Sequence, residues 1–548
     1  MNKNLSFSKI FLDGKRPFLW IFGFGFVLYL RGLFFGFSYF DDNVLILENL
    51  FFLRDLSNLP RAFTTEVFHI LHSSAAYYRP LLTISYMFDA VVSGENPFVY
   101  HLTSILIHLF VSIFVFIFFE KLKIKRSVAF LLSFIFLVHP VLAQAVVWIP
   151  GRNDSLLAFF VLPTFIFLIN FLENKKLRDL WLSILFFGFS LFTKESSVFI
   201  PFLILFFGFS LSENKKLFIK TLPVLFFGWG VIFLLWFYLR SIALSSSPVP
   251  YTFFGSIKSI LNNMSAVFLY LGKVILPFNL SVLPTLQDSI LWYGFISVFL
   301  IIFFFVVSKN KNYWIIAFGI AWFLVFLLPS FIRPTSYVSD FLEHRIYLPL
   351  VGLFLIFSQF SFVKNFDFEK KSNLYLFFLI VFFFSTITFL HIGKFKDRVT
   401  FWSFAVKTTP HHPLAHKNLG AMYYLEGNYD LAKNEFIKAA ELNFQEPMIH
   451  NNLGLIYMRE GKFDKAEDEF NLELKVNPNY DNALFNLGLL YWNQDKKDKA
   501  AEMWIKTISV NPDHKDALKG LAVYYSEIKD STKANYFYQE ALKRGVRF

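Results

Sequence analysis

Two adjacent aspartates, Asp41 and Asp42 in "SYFDDNVLILEN" (38–49), follow a long, almost wholly apolar run. A carboxylate at such a membrane exit can take a proton from a hydroxyl as a general base. Four further motifs bring cations together with carboxylates or tyrosines: "YYRPL" (77–81), "WIPGRND" (148–154), "TKES" (193–196) and "FLEHRIYLP" (341–349). Arginine and lysine can hold a phosphate and stabilise the charge that develops as it leaves. A phosphate leaves as a weak base, so no general acid is required. A glycosidase would need a second, protonated carboxyl across the bond. The residue types therefore suit transfer of a group from a lipid phosphate. There is no P-loop, no Gly-rich phosphate cradle, no HExxH and no nucleophile elbow. The absence of cysteine excludes disulfides, thiolate zinc sites and cysteine nucleophiles. His69, His72, His101, His108 and His139 are scattered and leave a metal role open.

The elements that must position these motifs are membrane helices. Of 548 residues, 55% are hydrophobic and 79 are Phe, and apolar runs of membrane length recur as far as residue 392. The net charge of +12 does not call for nucleic acid. Much of it sits in short loops, "KIKR" (123–126), "ENKKLRD" (173–179), "ENKKLFIK" (213–220), "KNKN" (309–312) and "KNFDFEKK" (364–371), which is the pattern of cytoplasmic loops. With those loops inside, about eleven spans follow: 17–37, 100–119, 128–149, 155–172, 180–193, 197–212, 221–239, 289–308, 313–331, 346–363 and 374–392. Segment 262–280 is expected to be re-entrant or interfacial. The first run reads as a retained helix, because no small-residue cleavage site follows it. The N-terminus is then cytoplasmic and the C-terminus outside. Every patterned polar motif falls on the outer side, although sidedness came from the basic loops alone. One outer polar cavity is expected, with the "KES" tip held below the surface by two short arms. Ionisable residues placed there are functional candidates. Bland readings stand beside these: Tyr77 and Tyr78 suit interface anchors, and His139 before Pro140 suits a satisfied core histidine.

From Pro413 the chain repeats every 34 residues to its last residue. One position reads Gly420, Gly454, Gly488, Ala522, and another reads Ala432, Ala466, Ala500, Ala534. Aromatics recur at Tyr423, Tyr457, Tyr491, Tyr525 and at Phe436, Phe470, Trp504, Tyr538. This is the tetratricopeptide pattern, a stack of helical hairpins with small residues at the crossings. "FWSFAVKTTP" (401–410) reads as the second helix of an earlier repeat. The fold class is thus all-α: a polytopic membrane domain over 1–392, a half-repeat connector over 393–412, and an α-solenoid of four repeats over 413–548.

The membrane domain resembles the C superfamily of integral-membrane glycosyltransferases, and most of all the protein O-mannosyltransferases that also carry tetratricopeptide repeats. The residues that carry the resemblance are "FDDN", "YRPLLTISY", "NPFVYHL" (96–102), "HPVLAQAVVWIPGRNDSL" (139–156), "TKESSVFIP" (193–201) and "EHRIYLPLVG" (343–352), in the family's order. The resemblance implies an inverting transfer of one sugar, often mannose, from a polyprenyl-phosphate carrier to a hydroxyl. It implies Asp41 as the base that meets the acceptor, with Asp42 beside it. It implies Arg79, Arg152, Lys194 and Arg345 near the donor phosphate, with Tyr78, His139, Asp154, Glu195 and Glu343 in support. Gln144 stands where related sequences often have Glu, Ser104 where Asn is frequent, and Arg345 sits one place later than in the eukaryotic form. No tightly bound cofactor is expected; the lipid-linked sugar is a substrate. Expected partners are that donor, membrane lipids, and an acceptor protein or glycan recruited by the repeats. Phe and Lys usage points to a bacterial inner membrane, with cavity and repeats extracytoplasmic. An O-antigen ligase or oligosaccharyltransferase would place its key loop late, whereas the longest outer loop here is the first, about 38–99. A non-enzymatic scaffold would leave the clustered outer charges unexplained.

Overall fold

The computed structural model describes residues 7–71, 77–244, 252–333 and 339–546. His72 and the last two residues of the fourth repeat lie outside them. The described residues contain helices and no strand, and one isolated bridge pairs Thr285 with Asp340. The chain forms two compact units, Met1–Phe404 and Ala405–Phe548. The boundary falls inside the expected connector: residues up to Phe404 belong with the membrane unit.

In the first unit, six helices among the described residues are long and apolar enough to cross a membrane: Arg16–Phe34, Pro97–Lys121, Ile149–Asn174, Lys215–Ala243, Tyr313–Phe331 and Lys371–Phe395. A seventh candidate is the pair Arg126–Val138 and Pro140–Val147, bent by 51°. The bend is local chemistry. Pro140 cannot donate to the helix ladder, and the His139 ring nitrogen Nδ1 accepts from Val141 N–H at 3.3 Å instead. The expectation of about eleven spans is corrected accordingly. Leu177–Leu191 has 15 residues, Trp292–Val307 has 16 and Pro349–Phe357 only 9. At 1.5 Å per residue the longest of these reaches about 24 Å, short of a hydrocarbon core of about 30 Å. The apolar run 346–363 breaks because Pro349 opens a helix that stops at Phe357, where the Ser358 hydroxyl donates back to the Leu355 carbonyl at 2.6 Å. Segment 262–280 contributes the ten-residue helix Ala266–Ile275.

The hub of this unit is Ile149–Asn174, 78% buried along its apolar window, whereas Lys215–Ala243 is 17% buried and lies at the rim. Phe supplies much of the packing. Phe118, Phe165 and Phe318 surround Trp322 with ring centroids 5.1 to 5.8 Å away. The helices carrying Gly319 and Gly352 touch backbone to backbone. A Cβ on Gly319 would stand 2.6 Å from the Gly352 carbonyl, so the crossing requires glycine.

The second unit contains four helical hairpins among the described residues: Pro413–Leu425 with Tyr429–Leu442, Ile449–Arg459 with Phe463–Val476, Asp481–Asn493 with Lys497–Val510, and Lys515–Glu527 with Ser531–Lys543. Each turn uses one left-handed residue, Gly427, Gly461, Asp495 or Lys529, the usual way to end a helix. The small residues do what the repeat demands. A Cβ on Gly420, Gly454 or Gly488 would meet Phe436, Phe470 or Trp504 at 2.6 to 2.8 Å.

Candidate functional site

The segment that leaves the first helix is held in an unusual backbone. Tyr39 and Asp41 both have positive φ, 57° and 67°, a region that few residues other than glycine occupy. The Phe40 ring between them stacks on Trp148 at 5.1 Å, and the Trp148 indole donates to the Phe40 carbonyl at 3.0 Å. The two aspartates differ in kind. Asp42 is buried, and its Oδ2 accepts from Ser38 N–H at 2.7 Å and Ser38 Oγ at 2.8 Å. It closes the turn. Asp41 is only half-buried. Burial first, then the charges of Asp42 and Asp340, push its carboxyl up to about 7, with Arg79 opposing. Burial also lifts Asp42, to about 6, against the hydrogen bonds of Ser38. Asp41 is therefore a carboxylate poised near neutrality with a cation nearby, which is what a general base needs.

The cations arrive from three other segments. Lys194 donates to both oxygens of Asp154, at 2.8 and 2.9 Å. His344 Nε2 stands 3.6 Å from Asp154 Oδ2, and its ring lies 5.2 Å from Trp148. Arg79 Nε stands 3.6 Å from Glu195 Oε2, and the other Glu195 oxygen accepts from Tyr78 N–H at 3.0 Å. The "YYRP" and "TKES" motifs are thus joined by Glu195. Arg345 donates to the Asp340 carbonyl at 2.8 Å and pairs with its Oδ1 at 3.1 Å, while Arg333 pairs with the same oxygen at 2.9 Å. The side chains of Arg79, Lys194 and Arg345 keep 17%, 18% and 11% exposure, so each remains open to a ligand.

Other expected site residues are committed elsewhere. Arg152 is fully buried: it pairs with Asp89 at 2.6 Å and donates to Ser104 Oγ, Ser85 Oγ and the Tyr100 carbonyl. This corrects its expected place at the donor phosphate. Its guanidinium joins helices Pro80–Ser93, Pro97–Lys121 and Arg152–Asn174. Glu343 is also fully buried, between Lys273 Nζ at 2.5 Å and His391 Nε2 at 3.1 Å, and it accepts from Ser281 N–H. It fixes the turn that carries His344 and Arg345. His139 Nε2 lies 3.0 Å from the Val274 carbonyl, the bland reading of a core histidine. Tyr78 is buried with its hydroxyl on the Phe63 carbonyl at 2.8 Å, so it is no interface anchor. Gln144 bridges Val282 and His344. Asp340, Arg333, Lys273 and Asp89 escaped the sequence reading. The available signal was a charge inside or beside an apolar run, as in "YMFDAVV" and "LYLGKVIL". Among the described residues no three His, Asp or Glu side chains form a metal-holding group.

The profile of a family described as dolichyl-phosphate-mannose-protein mannosyltransferase matches residues 82–239, and tetratricopeptide-repeat profiles match 447–480 and 485–545. The chain resembles protein O-mannosyltransferases that carry tetratricopeptide repeats. The protein O-mannosyl-transferase TMTC1 of Mus musculus is 34% identical over 103 residues, 19% of this chain and 10% of that protein. TMTC2 of Homo sapiens is 34% identical over 147 residues, 25% of this chain and 17% of that protein. Tmtc1 of Drosophila melanogaster is 29% identical over 175 residues, 32% of this chain and 20% of that protein. The chain thus matches a fifth or less of the length of each of these relatives. The mannosyltransferase match includes Arg152, Asp154, Lys194 and Glu195, and it begins beyond Asp41 and Arg79.

Proposed function

We propose that this protein is a membrane glycosyltransferase that moves one sugar, mannose by its likeness to the family, from a polyprenyl-phosphate carrier to a hydroxyl of an acceptor protein. Transfer takes place at the outer membrane face, and the repeats recruit the acceptor. The observation that carries the reading is a chain of charges from segments far apart in the sequence: Asp41 lies in the field of Arg79 and Asp340, Arg79 stands beside Glu195, Asp340 pairs with Arg345, and the Lys194–Asp154 pair lies in the field of Arg79.

The chemistry follows from the groups. Asp41 takes the proton of the acceptor hydroxyl as the hydroxyl oxygen forms a bond to the sugar's anomeric carbon. The bond from that carbon to the phosphate oxygen breaks, and the electron pair leaves with the phosphate. Attack opposite to the leaving group inverts the anomeric centre. An ammonium has three N–H donors. Asp154 accepts from Lys194 through both of its oxygens and orients it, leaving a donor for the phosphate. Arg79 lies against Glu195 at 3.6 Å without a hydrogen bond from Nε, and it turns to the phosphate when the donor enters. Asp42 holds the turn and Asp41 does the proton transfer.

The test is transfer by the purified full chain, in detergent, from radiolabelled polyprenyl-phosphate mannose to Ser/Thr-containing acceptor proteins. Asp41→Asn is expected to lower turnover by about 10²–10⁴-fold with unchanged yield and monodispersity. Wild-type turnover in Asp41→Asn would sink the assignment of the base. Failure of the wild-type chain to transfer any lipid-linked sugar would sink the activity.

A further inference from the structure

We infer that Trp402 is a positioning residue for Asp41, so that the transferase unit extends past the last long apolar helix, Lys371–Phe395, to include residues 396–402. This rests on the glycosyltransferase reading above and on no part of the solenoid. The segment 36–42 is gripped from two directions. From one side comes Trp148, stacked on Phe40 with its indole on the Phe40 carbonyl. From the other come contacts of the segment after the last long helix, among them Phe401, whose ring lies 5.9 Å from Phe40. Gly36 N–H donates to the Lys396 carbonyl at 2.8 Å. The Arg398 guanidinium lies over the Tyr39 ring at 5.1 Å. The Trp402 indole donates to the Ser38 carbonyl at 3.1 Å. The Trp402 ring meets Phe40 edge-on at 5.3 Å.

The need for such a grip is visible in the backbone. Two non-glycine residues in the left-handed region are strained and persist only where the surroundings over-determine them. Tyr39 and Asp41 flank Phe40, the one ring held between Trp148 and Trp402. Trp402 is fully buried and sits among the largest side chains with no exposure. Its N–H satisfies the carbonyl of Ser38, the residue whose amide and hydroxyl hold Asp42. Removing Trp402 frees one face of Phe40 and one end of the aspartate turn together. Asp41 then relaxes towards ordinary backbone geometry, and its carboxylate leaves the acceptor hydroxyl. By sequence the same residues read as part of a half-repeat connector; the contacts give them a part in holding Asp41.

The experiment compares Trp402→Ala, Trp402→Phe and Asp41→Asn in the full chain, measuring kcat, KM for the lipid-linked sugar and the pH profile of transfer. Trp402→Ala is expected to lower kcat by about 100-fold, the loss typical of a small misplacement, with KM for the donor unchanged and the acid limb displaced. Trp402→Phe keeps an aromatic ring beside Phe40 while losing the N–H and part of the indole's bulk, and it should restore part of the rate. Should Trp402→Ala fail to fold, Trp402→Phe together with Arg398→Met provides the same comparison, with a smaller drop in kcat and the same displaced limb. Full kcat and an unmoved limb in these variants, alongside an inactive Asp41→Asn, would overturn the positioning role alone. An active Asp41→Asn would overturn the reading beneath it.

Discussion

Asp41 differs from Asp42 by one position and by everything around it. Burial raises Asp42 and the hydrogen bonds of Ser38 work against it, while Asp41 faces two neighbouring carboxylates and one guanidinium. A carboxylate raised to about 7 is protonated below that pH, and only the ionised form accepts a proton. The expected outcome is that kcat/KM rises with pH to a plateau above about 7, because kcat/KM reports the free enzyme's essential base. A profile flat across about pH 5.5–8.5 would remove Asp41 from that role. Arg152 gives a second residue-scale outcome. Arg152→Met strands Asp89, 3% exposed, without its partner. Breaking a buried pair costs roughly 3–5 kcal/mol, so the variant should lose thermal stability in detergent. Arg152→Met with Asp89→Leu should regain it. A phosphate ligand would behave oppositely, raising KM with an intact fold. The motifs around Asp41, Arg79 and Lys194 were legible because each places a charge at the end of an apolar run. The partner of Arg152 was not, because Asp89 lies 63 positions away in another helix and nothing local marks the pair.

At the scale of elements, short helices and turns do the positioning. The "TKES" tip sits between Leu177–Leu191 and Ile200–Ser210, whose lengths keep it away from a full crossing. That much followed from two short apolar runs with matching flanks. The "EHR" turn was harder to read. It is anchored by Lys273 on helix Ala266–Ile275 and by His391 on the last long helix, and the sequence shows Lys273 only as a lone charge. In the repeats, the periodic pattern fixed the small and aromatic positions but not the polar pairs that follow the same period. His416 with Glu435 and His450 with Glu469 recur one repeat apart, at 2.6 and 2.7 Å. Burial works against the charged form of His450. The hydrogen bonds to Glu469 and the Phe444 carbonyl, with the charges of Glu469 and Glu473, outweigh it and raise the group. A raised histidine contributes stability that is complete below its unfolded value of about 6.5 and is lost as pH rises through the folded one. Hydrogen exchange of helix Ile449–Arg459 in the full chain, corrected for intrinsic rates, should show protection falling across that window. His450→Gln should remove the dependence; an unchanged slope in that variant would assign it to other groups.

At the scale of the molecule, composition announced a membrane protein with a repeat tail, and the order of motifs pointed to the family it resembles. The number of crossings was misjudged, because summing apolar residues measures hydrophobic content and not helix continuity. Pro349 and Ser358 interrupt one run, and Pro140 bends another. Sidedness is a separate question from span number, since it rests on where the basic loops lie. The chain contains no cysteine, so single introduced thiols report without background. Lys123→Cys, Lys216→Cys and Lys370→Cys lie in three basic loops, all exposed, and Ser57→Cys lies exposed in the first long loop beside Asp41. If the basic loops share the cytoplasmic side, a membrane-impermeant maleimide added to intact cells should label Ser57→Cys and leave the other three unlabelled until the membrane is opened. Short helices alter this outcome only by changing the parity of crossings between one loop and the next. Labelling of a single lysine position from outside would therefore identify which short segment spans. Labelling of all three, with Ser57→Cys protected, would place Asp41 and the acceptor chemistry on the cytoplasmic face and reverse the proposed orientation.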